Sequence, residues 1–148
     1  MSDGDLSQVD ADGLITMEKI RVDQNQYTYP APGLKLAIPL TSRDKRENFL
    51  LDVSRGKIDL AKITHQNRAR QIIVLMRLDL GGPAHRNPDG EELPCPHLHV
   101  YREGYGDKWA FPVPTKEYRN LEDRMQTLED FMRHCNITEP PIVQQGLF

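Results

Sequence analysis

The sequence is short of the features that fix a protein's class at a glance. It holds two cysteines, Cys95 and Cys135, forty positions apart and in no metal-ligand spacing. That excludes a disulfide-framed scaffold or a cysteine-built zinc finger and predicts reduced thiols. Cys95 stands between two prolines with no activating base beside it in sequence, so a nucleophile's role is not expected of it. No apolar run approaches the ~18 residues of a membrane-spanning helix; the longest, Ile72 to Met76, has the length of a strand. The acidic start "MSDGDLSQVDADG" lacks the basic head and apolar middle of a secretory signal, so a cytoplasmic chain with no membrane partner is expected. A large excess of positive charge is missing too: the net charge is −3, which speaks against a surface given over wholesale to nucleic acid.

What is present describes one ordinary globular unit. A chain of 148 residues, 38% hydrophobic and 28% charged, is long enough for one core and too short for two comfortable ones. The charge is unevenly spread. Residues 1–30 carry six acids against two bases, whereas residues 42–77 carry nine bases against four acids, a local excess of +5. Such a segment makes either one basic face or the solvated outer faces of strands.

The first dozen residues have no apolar period and read as a flexible acidic arm, followed by a single domain over 13–148. "LITMEKIRVD" fits a short helix or a first strand. From Leu34 onward the pattern is β. "LKLAIPL" alternates, with Pro39 marking it as an edge. "NFLLDV", the turn "SRGK" and "IDLAKITHQ" read as a hairpin, "HQNRAR" as a turn, and "QIIVLMRLDL" as the most apolar and so central strand. Residues 81–96 form a long loop, and "HLHVY" and "KWAFPV" a second hairpin around "REGYGD". Leu121, Met125, Leu128, Met132 and Cys135 lie four and three apart in alternation, the stripe of a helix of about four turns, with Asn120 as its N-cap. The expected fold is α+β: an antiparallel β-sheet or partly closed barrel of five to six strands, with a C-terminal amphipathic helix packed on it.

Strand alternation then gathers the chemistry. An extended His97–Tyr101 projects His97, His99 and Tyr101 from one face. The same reasoning on the preceding strand puts Arg77 and Asp79 on a face with Ile73 and Leu75, and the long loop can bring His85, Arg86 and Asp89 over the cluster. Three readings follow. One is metal-free cleavage of RNA, with histidines as acid and base and a guanidinium on the phosphate. The second is a zinc or other divalent metal site on His97, His99 and Asp79. The third is a polar and aromatic sheet surface that binds a protein. Arg68, Arg70, Arg86, Lys108 and Trp109 are the candidate nucleic-acid contacts. Trp109, Tyr101 and Tyr105 are equally suited to core anchoring, Glu103, Asp107 and Lys108 to solvated hairpin charges, and Gly104 and Gly106 to positive φ.

The stretch from Arg77 to Pro114 resembles a poorly characterised family of small bacterial proteins from prophage and other mobile elements. The likeness rests on Arg-x-Asp, Gly-Pro-x-His, Asn-Pro-Asp-Gly, His-x-His and Glu-Gly-Tyr-x-x-Lys-Trp-Ala in one order, and extends from about Glu47 to Ile142. Arg77, Asp79, Pro83, His85, His97 and His99 also look like the corresponding positions of TumE-type toxins of toxin–antitoxin modules. Together with the histidine face, that resemblance implies a toxin-like effector, a ribonuclease of a toxin–antitoxin or phage-defence system, with RNA as substrate, a cognate antitoxin as partner and no cofactor. In that reading His97 and His99 are acid and base, Arg77 the phosphate cation, Asp79 an orienter, and Tyr101 and His85 auxiliaries. The alternatives are a metal-dependent hydrolase using the same histidines and a non-enzymatic inhibitor carried by a mobile element.

Overall fold

The computed structural model describes residues 5–147. In chain order its elements are α1 (Gln8–Thr16), β1 (Lys19–Arg21), β2 (Gln26–Thr28), β3 (Lys35–Ser42), β4 (Asn48–Arg55), β5 (Ile63–Ala69) and β6 (Ile73–Asp79). There follow β7 (His85–Arg86), β8 (Glu92–Leu93), β9 (His97–Val100), β10 (Ala110–Pro112), α2 (Arg124–His134), β11 (Ile137–Glu139) and β12 (Ile142–Gln144). The alternating apolar residues of β3 to β6 drive an antiparallel meander, and the main sheet orders its eight strands β10-β9-β6-β5-β4-β3-β1-β11. The sheet is open and larger than the five to six strands expected, because short segments pair at both ends. It is also mixed, since β11 runs parallel to β1. β12 with β2, and β7 with β8, make two small separate ladders.

One face of the sheet is the core. Ile38, Leu40, Phe49, Leu51, Val53, Leu75 and Leu78 point there and meet Leu128, Phe131 and Met132 of α2 and Ala11 and Leu14 of α1. At ~1.5–3 kcal/mol per fully buried large apolar side chain, this layer is the main source of stability. Among the described residues no helix covers the other face, which carries Asp52, Ser54, Thr64, Gln66, Arg68, Arg77 and Asp79, all half-buried.

Several sequence expectations change here. Residues 8–12 are not a flexible arm: Ser7 caps α1 by accepting from the Asp10 amide, and the helix lies on the core through Ala11 and Leu14. Two buried residues in nine give too faint a period to be seen in sequence. Residues 1–4 of that arm lie outside the described residues. The strand after β4 starts at Ile63 instead of Ile58, which is 96% exposed in the intervening turn, and "HQNRA" is strand, with His65 fully buried. Pro39 lies inside the sheet, yet one position beyond the β1 pairing that covers Leu40–Ser42, so its missing N–H costs little. The α2 N-cap is Asp123 in place of Asn120, its carboxylate accepting from the Gln126 amide.

Candidate metal centre

The site grows from a registration between two strands. In the β6–β9 ladder Arg77 lies opposite His99 and Asp79 opposite His97, so all four side chains emerge side by side. A bulge makes that placement possible. Asn67 pairs with Met76 and Arg68 with Val74, leaving Leu75 as the extra residue. Without the bulge, period-two alternation would put Ile73 and Leu75 on the same face as Arg77 and Asp79; with it, Ile73, Leu75, Met76 and Leu78 are all buried while Arg77 and Asp79 stay on the polar face. Strict alternation therefore mixed apolar and polar residues that the fold separates.

The donor atoms converge. His97 Nε2 and His99 Nε2 lie 3.2 and 3.1 Å from the same oxygen, Asp79 Oδ2, and the three groups offer ligand atoms all within 4.8 Å of one another. The far side of each ring faces an acceptor: His99 Nδ1 is 2.7 Å from the Asp107 carbonyl, and His97 Nδ1 is 3.3 Å from the Pro94 carbonyl. A carbonyl only accepts, so each Nδ1 carries a hydrogen, and Nε2 is the ring nitrogen that each histidine turns toward the carboxylate. Two imidazole nitrogens and a carboxylate oxygen within 4.8 Å of one another are a donor set of the kind that holds a divalent metal. Their 3.1–3.2 Å separations match the ~3.3 Å edge of a tetrahedron with ~2.0–2.1 Å metal–ligand bonds. A ligand imidazole whose other nitrogen donates to a carbonyl is the usual supporting arrangement.

The surroundings are equally specific. Asp79 Oδ1 accepts from the Thr64 hydroxyl at 3.2 Å and lies 3.3 Å from Arg77 Nε. Burial works to raise the Asp79 carboxyl, but the His99 contact and the charges of Arg77 and the histidines outweigh it and hold it at about 2. Arg77 also donates to Asp107 Oδ2 at 2.6 Å and to His99 Nε2 at 3.0 Å. His85, half-buried, stands over the centre with its ring 4.6 Å from that of His99; its Nε2 is 2.7 Å from the Lys108 carbonyl, which leaves Nδ1 as its free basic atom. The β7–β8 hairpin is fixed there by Asn87, whose side-chain amide donates to Ala110 O and accepts from Ala110 N, extending the β10 edge.

Not all the candidates meet. Tyr101 turns into the core, where its hydroxyl accepts from the Leu6 amide at 2.7 Å and donates to the Leu6 carbonyl at 3.0 Å, because the strand ends at Val100 and the alternation stops with it. Arg86 pairs with Glu92 in the open, Arg70 with Glu47 beyond the β5–β6 turn, and Arg68 with Asp52 on the sheet face. Trp109 has the Arg102 guanidinium 4.5 Å over its ring and Tyr105 edge-on to it, in the hairpin beside the site. Lys108 contributes its backbone carbonyl. Asp89 sits at the tip of the β7–β8 turn. Of the nine bases of residues 42–77, Arg43, Arg68, Arg70 and Arg77 are paired with acids. Asp107, read as a solvated charge, and Thr64, read as ordinary strand, are parts of the site; only the Thr64–Asp79 cross-strand pairing would have revealed the latter.

A family model described as a family of unknown function (DUF6978) matches residues 6–137. The chain belongs to that family. Comparison with curated proteins and with solved structures finds no match. The family match begins well before Glu47, so α1 and β1 to β3 are as much a part of the family as the histidine strand. Among the described residues no helix is long and apolar enough to cross a membrane.

Proposed function

We propose that this member of the family is a metal-dependent hydrolase whose metal is held by Asp79, His97 and His99. The observation that carries the reading is the convergence of both Nε2 atoms on Asp79 Oδ2 with both Nδ1 atoms committed to carbonyls. A two-histidine, one-carboxylate set with an open position suits zinc or manganese, which supplies Lewis acidity at a reacting bond. Asp79, His97, Arg77 and His85 border a cleft of about 440 Å³, through which a substrate reaches the centre. In that cleft Arg77 stabilises developing negative charge, and His85 Nδ1 takes or gives a proton. Pro94 and Asp107 orient the ligands through their carbonyls. The larger cleft of about 600 Å³ beside α2, lined by Met125, Leu128 and Met132 together with Glu129, Arg133 and Asn136, touches none of Asp79, His97 and His99.

A second reading is the metal-free, toxin-like ribonuclease of a toxin–antitoxin or phage-defence system, restrained in the cytoplasm by an antitoxin. The Arg77 Nη2 donor 3.0 Å from His99 Nε2 favours it, since it places a cation at the centre without a metal. Burial weighs against it: His97 and His99 are 2% and 1% exposed, and only His97 borders the cleft, so His99 is withdrawn from an acid–base role on a substrate there.

The test is hydrolysis of p-nitrophenyl acetate and bis(p-nitrophenyl) phosphate by untagged protein, with and without a chelator. Turnover of either substrate, abolished by chelation and restored by zinc or manganese, is expected. His97→Ala should lose more than the ~10- to 100-fold that removal of a supporting group costs. Equal turnover with and without chelator, coupled to growth arrest on expression that His97→Ala relieves, would favour the metal-free toxin. A folded, zinc-loaded protein inert on both substrates would overturn the hydrolase reading.

A further inference from the structure

We propose that the uncovered face of the sheet is a trough for single-stranded nucleic acid, leading its phosphates to the Asp79, His97 and His99 centre; this rests on the reading of that centre as the reaction site. The cleft beside the centre does not end there. A second cleft of about 510 Å³ lies along the same face, and the two share Ser54 and Thr64, which are cross-strand partners on β4 and β5. The joined trough crosses β3, β4, β5, β6 and β9. Four strand intervals of ~4.8 Å make ~19 Å, longer than one phosphate group needs and suited to several linked ones.

Its charge has one sign in excess. Lys35, Lys62, Arg68 and Arg77 line it against Asp52 and Asp79. Asp52 is spent on Arg68 and Gln66, and Asp79 on the centre itself. Lys35 and Lys62 are exposed and have no carboxylate partner among the described residues. Lys62 is held at the mouth of the centre by a close backbone approach: a Cβ on Gly81 would lie 2.2 Å from Ala61 O, and the Lys62 stem runs within 3.7 Å of a Cβ built on Gly82. The rest of the floor is Ser54, Thr64 and Gln66, small hydrogen-bonding groups suited to phosphate and sugar oxygens. A duplex is too stiff to bring a phosphate down to histidines lying under the β7–β8 and 102–109 hairpins. A single strand bends into that space.

The experiment measures binding of a fluorescein-labelled oligouridylate of about twelve nucleotides, a duplex of the same length, and inorganic phosphate as competitor, at several salt concentrations. The wild type is compared with Lys35→Ala/Lys62→Ala, and zinc titrations are run on the same samples. The expected result is salt-dependent binding of the single strand in preference to the duplex. The double variant should bind about tenfold or more weakly, with a log K against log salt slope shallower by about 1.4, two contacts at ~0.7 each. No binding, an unchanged slope in the variant, or displacement of the oligonucleotide by an equal concentration of inorganic phosphate would overturn the trough. If that happens with zinc binding intact, the hydrolase reading survives. Retained binding and slope change in a protein that takes up no zinc would support the trough and remove the hydrolase reading.

Discussion

Acid should destabilise this fold through one residue far from solvent. His65 lies on the core face of β5, fully buried, its Nε2 3.0 Å from the Tyr29 hydroxyl and its Nδ1 without a hydrogen-bond partner among the described residues. Burial among Tyr29 and Phe131 drives its pKa down from 6.5 to about 3. The unfolded chain therefore binds a proton at this ring throughout the window between about pH 6.5 and about pH 3 in which the folded chain does not, and stability falls as the pH is lowered through it. Relative to about pH 7.5, the loss is about 2 kcal/mol at about pH 5 and about 4 kcal/mol at about pH 3. His65→Gln keeps a hydrogen-bonding partner for Tyr29 but cannot take up the proton. Urea unfolding of both proteins at the two higher pH values isolates the effect, because other titrating groups, His134 among them, contribute equally to each. The variant should lose about 2 kcal/mol less than the wild type on acidification. Identical pH dependence would refute the placement of an uncharged His65 in the core.

Other outcomes follow from the same packing. Lys19 is fully buried, and its ammonium donates to the carbonyls of Ile15, Met17 and Cys135, tying together the ends of α1 and α2. Lys19→Met, which keeps an unbranched buried side chain but removes the ammonium over Phe49 and strands three acceptors, should cost about 3 kcal/mol in urea unfolding, and an unchanged midpoint would contradict this. Tyr101→Phe should cost about 1–2 kcal/mol of stability and leave zinc affinity unchanged; a lost metal site would return Tyr101 to the centre. Asn87→Ala removes the two bonds between the β7–β8 hairpin and Ala110, so amide exchange over residues 84–94 should accelerate while β3 to β5 stay protected.

Much of this was legible in the residues. Period-two alternation located β3, β4, β6 and β9, and the four-and-three spacing from Leu121 to Cys135 located α2, because each of these elements buries one face against a single core. The neighbouring of Arg77, Asp79, His97 and His99 was expected only on condition that the two strands pair with their polar faces together, and the β6–β9 register supplies that pairing. What escaped depends on contacts far apart in sequence. α1 is held by Tyr101, Glu103 and the sheet, so its own residues say little about it. The short strand β1 forms between β3 and β11, and β11 joins the sheet only through β1, pairings distant in sequence. The Leu75 bulge changes which residues share a face without leaving a composition signal. Asp107 joins the site through a hairpin whose shape, with Gly104 and Gly106 at positive φ, no spacing rule specifies. The Asp107 and Pro94 carbonyls that orient the imidazoles are backbone atoms and invisible to any reading of side chains.

The most direct test of the account is a zinc titration of chelator-stripped, untagged protein against a chromophoric competitor, with Asp79→Asn and His97→Ala/His99→Ala alongside. One zinc per chain is expected in the wild type, weakened in the aspartate variant and lost in the double variant, with all three proteins equally folded by circular dichroism. Absence of zinc and manganese binding in the folded wild type, or binding that survives removal of both histidines, would contradict it.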